Sequence, residues 1–211
     1  MSLTVIYITS NRENEYFESK IIETLKESIN GLPVVSVSQK PIDFGNNICV
    51  GEIGAKPENV LKQLVIGAKA AGTRFVTVGQ SDFLYPKEFF EFVPPRDDTF
   101  YYPDHAYIFW VRRSRFFRKN LREILSVTNR KYFIETLETI LDGFNDEHIS
   151  NKIKDIANQD TFWTDVPLLT FKTEDGMHRA SPFIRDSSKR ELPQWGTADE
   201  LRRKYFEKDK V

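Results

Sequence analysis

Polar side chains that could bind a phosphate or a metal ion directly follow three short apolar runs, residues 3–8, 34–37 and 75–78. Such runs predict buried strands of a parallel sheet, and open α/β sheets bind their ligands in the loops at the carboxyl ends of such strands. Carboxylate and amide oxygens suit a hard cation, and a guanidinium suits a phosphate. The residues placed in this way are Thr9, Ser10, Asn11, Arg12, Lys40, Asp43, Gln80, Ser81 and Asp82.

Asp82 is the most informative of these residues, because it comes just past the third apolar run. A carboxylate at the end of a buried strand is held on a rigid support and faces the ligand edge of the sheet. It could hold Mn²⁺ or Mg²⁺, which would act as a Lewis acid on a departing nucleotide. The alternative is a turn residue or a helix cap, the commoner use of an Asp in this position.

The elements that must position these side chains follow from the hydrophobic periodicity. Residues 15–29 carry one apolar stripe and end at Asn30-Gly31, which predicts a helix between the first two strands. This βαβ unit implies parallel neighbours joined by a right-handed crossover. Pro57 then opens a second helix, to about residue 71, ahead of the third strand.

Other segments are less regular. Residues 39–54 combine glycines with polar side chains and predict a loop at the ligand edge. Residues 100–102 and 107–111 predict two strands that could form an antiparallel pair, and residues 115–127 fit either a helix or a strand. The sequence also predicts a helix over 129–141 and, after residue 160, irregular structure apart from a strand at 168–171.

Composition indicates an ordinary globular protein of 211 residues, with 40% hydrophobic residues, 29% charged residues and a net charge of −1. Cys49 is the sole cysteine, so no internal disulfide forms, and we expect it to be buried and inert. The N-terminus enters a strand pattern directly, without a leader or a membrane span. These features predict a cytoplasmic protein.

Several short motifs of the chain, densest between residues 33 and 90, also occur together in a known family. Jointly they resemble a group of small family-2-like glycosyltransferases with the glycosyltransferase-A fold, of the kind found in bacteriophages. The motifs are Lys40-Pro41-Ile42-Asp43, Gly45, Asn47-Ile48-Cys49-Val50-Gly51-Glu52, Gly54, Asn59, Gln63, Gly67-Ala68, Asp82-Phe83-Leu84-Tyr85-Pro86 and Leu192-Pro193-Gln194-Trp195-Gly196.

The resemblance implies an α/β fold in which helices flank a Rossmann-type mixed sheet and a small C-terminal segment closes the donor cleft. The chain would be one domain, with a nucleotide-sugar-binding half over residues 1–95 and an acceptor-side half over 96–211. It implies transfer of a sugar from a nucleotide-diphosphate donor, expected to be a UDP-sugar, to an acceptor hydroxyl, assisted by Mn²⁺ or Mg²⁺. Retention or inversion of the anomeric centre stays open.

The resemblance also assigns roles to single residues. Thr9, Ser10, Asn11 and Arg12 would hold the base and diphosphate, and Lys40 and Asp43 would contact uracil or ribose. Where the family has two or three acids, this chain has Gln80-Ser81-Asp82. Gln80 can still bond a ribose hydroxyl and Asp82 can still bind metal, but one lost carboxylate should weaken that binding.

Further candidates lie in the second half of the chain. A base for an inverting reaction would be an acid near the acceptor hydroxyl, and Asp104, Glu135 and Asp165 are candidates. By resemblance, His178 could be a second metal ligand and Lys172 could steady a phosphate. Trp110, Trp163 and Trp195 could each stack on a sugar or a base. Of these, Trp110 is expected in the core and Trp195 in the cleft.

A basic run between residues 112 and 131 stands out against the neutral overall charge, and a second basic stretch covers 202–204. The runs could be solvated faces or a track for a polyanion. With the phage-like resemblance, they suggest a hydroxymethylated base in double-stranded DNA as the acceptor. The residues expected to contact DNA are Arg112, Arg113, Arg115, Arg118 and Lys119.

Two other functions remain open from the sequence. Gln80 and Ser81 in place of acids would suit a non-catalytic module of the same fold that binds a nucleotide or a nucleic acid. A sugar nucleotidyltransferase fits less well, because the N-terminus lacks the glycine-rich and basic loop that holds a triphosphate.

Overall fold

The strands and helices of the computed structural model begin and end close to the apolar runs of the sequence. The structure describes residues 3–119, 124–144, 149–173, 184 and 187–207. Its strands are β1 (Leu3–Thr9), β2 (Val34–Ser38), β3 (Asn46–Cys49), β4 (Phe75–Gln80), β5 (Phe83–Leu84), β6 (Thr99–Pro103), β7 (Ala106–Trp110), β8 (Arg115–Arg118), β9 (Val127–Asn129), β10 (Asn158–Phe162), β11 (Leu168–Lys172), β12 (Glu191–Leu192) and β13 (Gly196–Thr197). Its helices are α1 (Glu15–Ile29), α2 (Pro57–Ala70), α3 (Lys87–Glu91), α4 (Arg130–Asp142), α5 (Ile149–Ile156) and α6 (Ala198–Phe206), with a 3₁₀ turn at Val111–Arg113.

The central sheet contains seven strands in the order β10-β6-β9-β4-β1-β2-β3. β1 is buried along its whole length, as expected for an apolar strand with neighbours on both sides. β9 runs antiparallel to both β4 and β6, so these two strands are parallel to each other. The remaining neighbouring pairs are parallel. The carboxyl ends of β1, β2, β4, β6 and β10 therefore share one edge of the sheet, called here the carboxyl edge.

Helices cover both faces of this sheet, and two glycines let them approach closely. A Cβ atom on Gly67 of α2 would overlap Ile6 of β1. On the opposite face, a Cβ atom on Gly79 of β4 would lie 3.2 Å from Val5 and 3.4 Å from Leu25 of α1. Because neighbouring residues of a strand point to opposite faces, α1 and α2 lie on different sides of the sheet. Across the described part of the chain, no helix has the length and apolar content needed to cross a membrane.

A second, four-stranded sheet has the order β5-β11-β7-β8. It contributes to an aromatic core in which Phe17 of α1 packs against Phe171 and Phe206, with ring centroids 5.2 and 4.8 Å apart. α6 completes this core and begins with a capping box, in which Thr197 and Glu200 satisfy each other's backbone N–H groups. The C-terminal segment is thus packed onto α1.

Four predictions about the elements were wrong. Residues 46–49 form edge strand β3 within the predicted loop, because the Asn47 amide donates to the hydroxyls of Ser36 and Ser38 across the pairing. Cys49, at the end of that strand, is exposed rather than buried. β6 and β7 do not pair with each other, since β7 passes into the second sheet. The region after residue 160 contains helix α6 as well as β11.

Candidate functional site

The chain changes direction across the central sheet between β1 and β4. From β1 it passes through α1 to β2 and then β3 on one side, and α2 returns it to β4 on the other side of β1. β1 and β4 are parallel, with Ile8 opposite Gln80, so the connections that follow them diverge. Such a switch point leaves a crevice outside the strand ends, where open α/β sheets bind ligands.

A cleft open to solvent lies at this switch point. Its walls come from the ends of β1 and β4, from the first turns of α2 and from the loop that precedes α2. Six of the polar residues predicted from the sequence line it, namely Thr9, Ser10, Arg12, Gln80, Ser81 and Asp82. The other lining residues are Ile8, Glu13, Ala55, Val60 and Gln63.

Asn11 supports the cleft and is not among the residues that line it. Its backbone is left-handed, with φ of 52°, a conformation that Asn tolerates better than most residues. Its side-chain oxygen accepts hydrogen bonds from the backbone N–H groups of Gln39 and Lys40, at 2.9 and 2.8 Å. The Asn11 side chain thus joins the loop after β1 to the loop after β2, and its predicted contact with the base or diphosphate stays a prediction.

Gln63 lies on α2 at the cleft, and its side chain is only 2% exposed. Its amide donates to the carbonyl oxygens of Thr9 and Val37, both at 3.0 Å, and so ties the ends of β1 and β2 to the helix. Sequence reasoning marked Gln63 as part of a family motif without giving it a role. The available signal was a polar residue beside the apolar stripe of a helix that must face the sheet.

Asp82 is 8% exposed and lies in the turn between β4 and β5. Its carbonyl oxygen accepts a hydrogen bond from the backbone N–H of Phe171 at 2.9 Å, just beyond the point where β11 pairs with β5. The backbone N–H of Gln80 donates to the hydroxyl of buried Tyr85 at 3.0 Å. These contacts from two elements hold the Gln80-Ser81-Asp82 turn in one conformation.

A carboxyl group is buried under the floor of the cleft. Glu18 of α1 is 7% exposed, and its Oε1 accepts a hydrogen bond from the Tyr7 hydroxyl at 2.9 Å. Burial raises the pKa of Glu18, and hydrogen bonds from Thr9 and Tyr7 partly offset that effect. Burial also raises the pKa of Tyr7, and the negative charges of Glu18 and Asp82 add to this rise. Glu18 was missed because a single acid in an amphipathic helix gives no signal of burial.

The end of β11 borders the cleft through a hydrogen bond. The Thr173 hydroxyl donates to Oε1 of Glu13, a cleft residue, at 2.8 Å. Lys172 next to it was predicted to steady a phosphate, but its Nζ lies 4.2 Å from the centre of the Trp110 ring. The guanidinium carbon of Arg113 lies 4.0 Å from the same ring, so two cations contact half-buried Trp110.

Lys40 and Asp43 are exposed in the loop between β2 and β3 and are not among the lining residues. Lys40 stands at the carboxyl edge, where its N–H bonds Asn11, whereas Asp43 lies on the part of the loop that returns toward the start of β2, since Gly45 packs against Val34 and Asn46 pairs with Val35. The nearby backbone is fixed by Asn11 and by Asn47, whose Oδ1 accepts from the N–H of Ile42 at 3.2 Å. Their predicted contact with uracil or ribose stays a prediction.

Two of the three candidate bases stand at the carboxyl edge. Asp104 follows β6 and Asp165 follows β10, and both are exposed. Glu135 lies on α4, which starts at the opposite edge, where the Arg130 N–H bonds the carbonyl of Arg74 ahead of β4. Its carboxylate is exposed and lies 3.8 Å from Lys131 one turn earlier. The structure does not bring Glu135 to the cleft, so it is withdrawn as a candidate base.

The oxygen ligands for a metal ion are few. Among the described residues, no group of three or more His, Cys, Asp or Glu side chains is placed to hold a metal. Glu13 and Asp82 are the carboxylates that line the cleft, and His178 lies outside the described residues. Mg²⁺ is often bound by one or two carboxylates together with substrate phosphates and water. The described part of the cleft thus offers two carboxylates, fewer than a preformed metal cage needs.

The basic surface differs from its prediction at one residue. Lys119, just after the end of β8, is 2% exposed, so its side chain lies inside the protein and not on the basic surface. Arg112 and Arg113 are exposed, while Arg115 and Arg118 are partly buried on β8. The guanidinium of Arg202 donates to the Val111 carbonyl, which brings the second basic stretch beside the first.

Trp195 was expected in the cleft but packs against the aromatic core of the second sheet. Its indole N–H donates to the Pro167 carbonyl at 2.7 Å, so its polar edge is satisfied inside the protein. The Pro- and Gly-flanked context that suggested an accessible loop instead forms the two-stranded pairing of β12 and β13.

Comparisons with known proteins give matches among solved structures. No family model and no curated protein matches this chain. The structure of S. aureus TarS 1–349 in complex with UDP-GlcNAc matches with a TM-score of 0.54 and 15% identity, covering 87% of this chain and 62% of that chain. Two other structures match more weakly. An S. aureus TarS structure has a TM-score of 0.48 and 11% identity, covering 82% of this chain and 37% of that chain. The bifunctional IspDF from Campylobacter jejuni has a TM-score of 0.47 and 11% identity, covering 79% of this chain and 50% of that chain.

The match to TarS 1–349 shows the fold. This chain has a mixed central sheet flanked by helices, the glycosyltransferase-A-like architecture, with its cleft at the switch point of the sheet. It spans 62% of the TarS fragment that it matches. The resemblance to phage proteins is untested by these structures and stays a prediction.

Proposed function

We propose that this chain is a glycosyltransferase that moves a sugar from a uridine-diphosphate donor to an acceptor hydroxyl. The observation that carries the proposal is the cleft at the switch point, where Arg12 and Asp82 face one space with the polar side chains of Ser10 and Gln80. The donor class is supported by TarS 1–349, which has the same fold and was solved in complex with UDP-GlcNAc.

Different cleft residues would contact different parts of the donor. Arg12 pairs with the diphosphate, since its guanidinium is an always-charged fork that matches phosphate oxygens. Gln80 both donates to and accepts from ribose hydroxyls through its amide. Ser10 and Ser81 complete the polar wall with hydroxyls that donate to phosphate or ribose oxygens. The two halves, residues 1–95 and 96–211, would then serve the donor and the acceptor.

Asp82 would hold Mn²⁺ or Mg²⁺, with the remaining ligands supplied by diphosphate oxygens and water. When bound, the cation would neutralise negative charge on the departing UDP. Asp82 alone gives a weak site for a free cation. Binding of metal and nucleotide should therefore be mutually dependent, because each supplies ligands or charge that the other needs.

Transfer requires a base for the acceptor hydroxyl. Asp104 and Asp165 are the candidates at the carboxyl edge. The carboxylate takes the hydroxyl proton as the acceptor oxygen bonds to the anomeric carbon. The bond from that carbon to the diphosphate oxygen breaks, and UDP leaves with the electron pair. The anomeric centre passes through an oxocarbenium-like state, by analogy with glycoside hydrolysis.

The finer prediction, DNA as the acceptor, has one supporting feature in the basic surface of Arg112, Arg113 and Arg115. It predicts DNA binding that weakens with salt and with joint replacement of these three arginines by Gln. DNA binding that does not change with salt concentration, or with these replacements, would contradict this prediction. Lys119 no longer belongs to that surface.

Release of UDP from UDP-glucose and UDP-GlcNAc tests the proposal. The wild type should release UDP slowly to water, and Asp82→Asn should lower that rate by more than tenfold. Asp155→Asn, an exposed acid on α5, is the matched control and should leave the rate unchanged. If UDP binds but no donor is hydrolysed, the second candidate is favoured. That candidate is a non-catalytic nucleotide-binding module, suggested by Gln80 and Ser81 in place of acids.

A further inference from the structure

Trp163 presents a large aromatic surface to solvent just beyond the carboxyl end of β10. It is 56% exposed, and its ring stacks on the imidazole of His105 with centroids 4.3 Å apart and planes within 7°. The two residues are far apart in sequence and meet because β10 pairs with β6. One face of the indole is therefore supported by protein while part of the side chain stays accessible.

The support is itself held in place. Nδ1 of His105 lies 2.8 Å from the carbonyl oxygen of Thr164, and the His105 carbonyl accepts from the N–H of Leu168 at 2.9 Å. The N–H of Asp104 donates to the Phe162 carbonyl at 2.9 Å. Hydrogen bonds on either side of His105 and Trp163 thus hold both residues of the stack in position. A preorganised aromatic surface loses little conformational entropy when a ring stacks on it.

The charged groups nearest in sequence to Trp163 and His105 are acidic. Asp104 and Asp165 are exposed just beyond the ends of β6 and β10, whereas Asp160 lies within β10 and interacts with Arg96. Glu88 of α3 is also close, because its Oε2 accepts the backbone N–H of Asp165 at 2.6 Å. Carboxylates accept hydrogen bonds from hydroxyl groups and repel phosphates. This setting favours a neutral polyol over a nucleic-acid backbone.

The position of the surface relates it to the cleft. Both lie at the carboxyl edge, and β10 stands three strand positions from β4 in the order β10-β6-β9-β4. Adjacent strands are spaced by roughly 4.8 Å, so the separation across the sheet is about 14 Å. A ligand that reaches from Trp163 to the donor side must therefore be longer than one sugar ring.

We propose that Trp163 and His105 form a stacking platform for a neutral oligosaccharide acceptor, an inference that rests on the proposed function. The apolar face of one sugar ring packs on the indole, and its hydroxyl groups donate to Asp165, while Asp104, which follows β6 one strand closer to the cleft, stays available as the base. The chain of the acceptor then extends along the carboxyl edge toward the cleft. The acceptor class that follows is a neutral glycan of several sugars rather than DNA.

The test measures binding to an array of neutral oligosaccharides, with hydroxymethylated duplex DNA as the comparison probe. The wild type should bind a subset of the glycans, trisaccharides more tightly than monosaccharides. Trp163→Ala should weaken that binding at least tenfold, and Trp163→Phe should retain part of it. Ile156→Ala is the matched control, because Ile156 is 50% exposed at the opposite end of β10 and should leave binding unchanged.

UDP binding by the same variants separates this inference from the proposed function. Trp163→Ala should bind UDP as the wild type does, because Trp163 does not line the cleft. The platform is refuted, and the donor site is not, if the wild type binds UDP but no glycan. The same conclusion follows if glycan binding is unchanged in Trp163→Ala. DNA binding that requires Trp163 would also refute the neutral-glycan acceptor. If the wild type does not bind UDP, the proposed function itself is refuted.

Discussion

Beside the cleft at the switch point, the carboxyl group of Glu18 is buried against the hydroxyls of Tyr7 and Thr9. Because burial raises its pKa above the ordinary value of 4.5, the folded protein holds the proton that the unfolded chain releases. Its contribution to stability is therefore most favourable below about pH 4.5 and falls as the pH rises through the raised pKa. Glu18→Gln removes this dependence and keeps an acceptor for Tyr7.

We expect the stability of Glu18→Gln relative to the wild type to increase between about pH 4 and pH 7. Urea unfolding at several pH values measures the difference in free energy of unfolding. Glu15→Gln, on the same helix but exposed, is the control and should give a nearly constant difference. A constant difference for Glu18→Gln would show that its ionisation is not coupled to folding.

Arg12 and Lys172 were both predicted to contact phosphate, and their surroundings now distinguish them. Arg12 lines the cleft, whereas the Lys172 ammonium lies over the Trp110 ring. Arg12→Gln should weaken UDP binding about tenfold, a loss of ~1.4 kcal/mol. Lys172→Gln should change it by less than about twofold. Titration calorimetry measures both, and an equal loss in the two variants would contradict this division.

At the scale of elements, α2 packs closely on β1 at Gly67. A Cβ atom on Gly67 would overlap Ile6 and lie 3.2 Å from Val37. Gly67→Ala should therefore lower the free energy of unfolding by roughly 1–3 kcal/mol, the usual cost of overpacking. Gly72→Ala, with open space around its Cβ position, is the matched control and should cost little. Equal effects in urea unfolding would show that α2 can move away from the sheet.

The elements predicted correctly from the sequence are those whose packing repeats a simple pattern. β1, α1, α2 and β4 each combine an apolar run or stripe with an end signal, such as Asn30-Gly31 or Pro57. β3 escaped prediction because its pairing depends on polar contacts of Asn47 with another strand. α6 was missed although Thr197 and Glu200 form a capping box at its start, and only its packing on Phe17 and Phe171 depends on residues distant in sequence. Periodicity does not report contacts of either kind.

At the scale of the whole molecule, α1 belongs to both cores. Phe17 and Ile21 pack with the second sheet, while Leu25 and Ile29 pack with the central sheet. The Gln80-Ser81-Asp82 turn is likewise held by the second half of the chain, through the hydrogen bond from the Phe171 N–H to the Asp82 carbonyl. The donor and acceptor sides of the proposed enzyme are thus mechanically connected.

The candidate site was predictable where it depends on strand ends and unpredictable where it depends on topology. Asp82 and Arg12 follow apolar runs and could be identified from the sequence. Glu135 could be excluded only when antiparallel β9 placed the start of α4 at the opposite edge. The pairing of Trp163 with His105 required the register of β10 against β6, which no local pattern reveals.

The most direct test of the central claim is calorimetric titration of the protein with UDP, with and without Mn²⁺. The account predicts binding that Mn²⁺ strengthens in the wild type and in Asp155→Asn. Asp82→Asn should lose the strengthening by Mn²⁺ while keeping the fold, as checked by circular dichroism. Failure of the folded wild type to bind UDP under any condition would contradict a UDP-sugar donor site in this cleft.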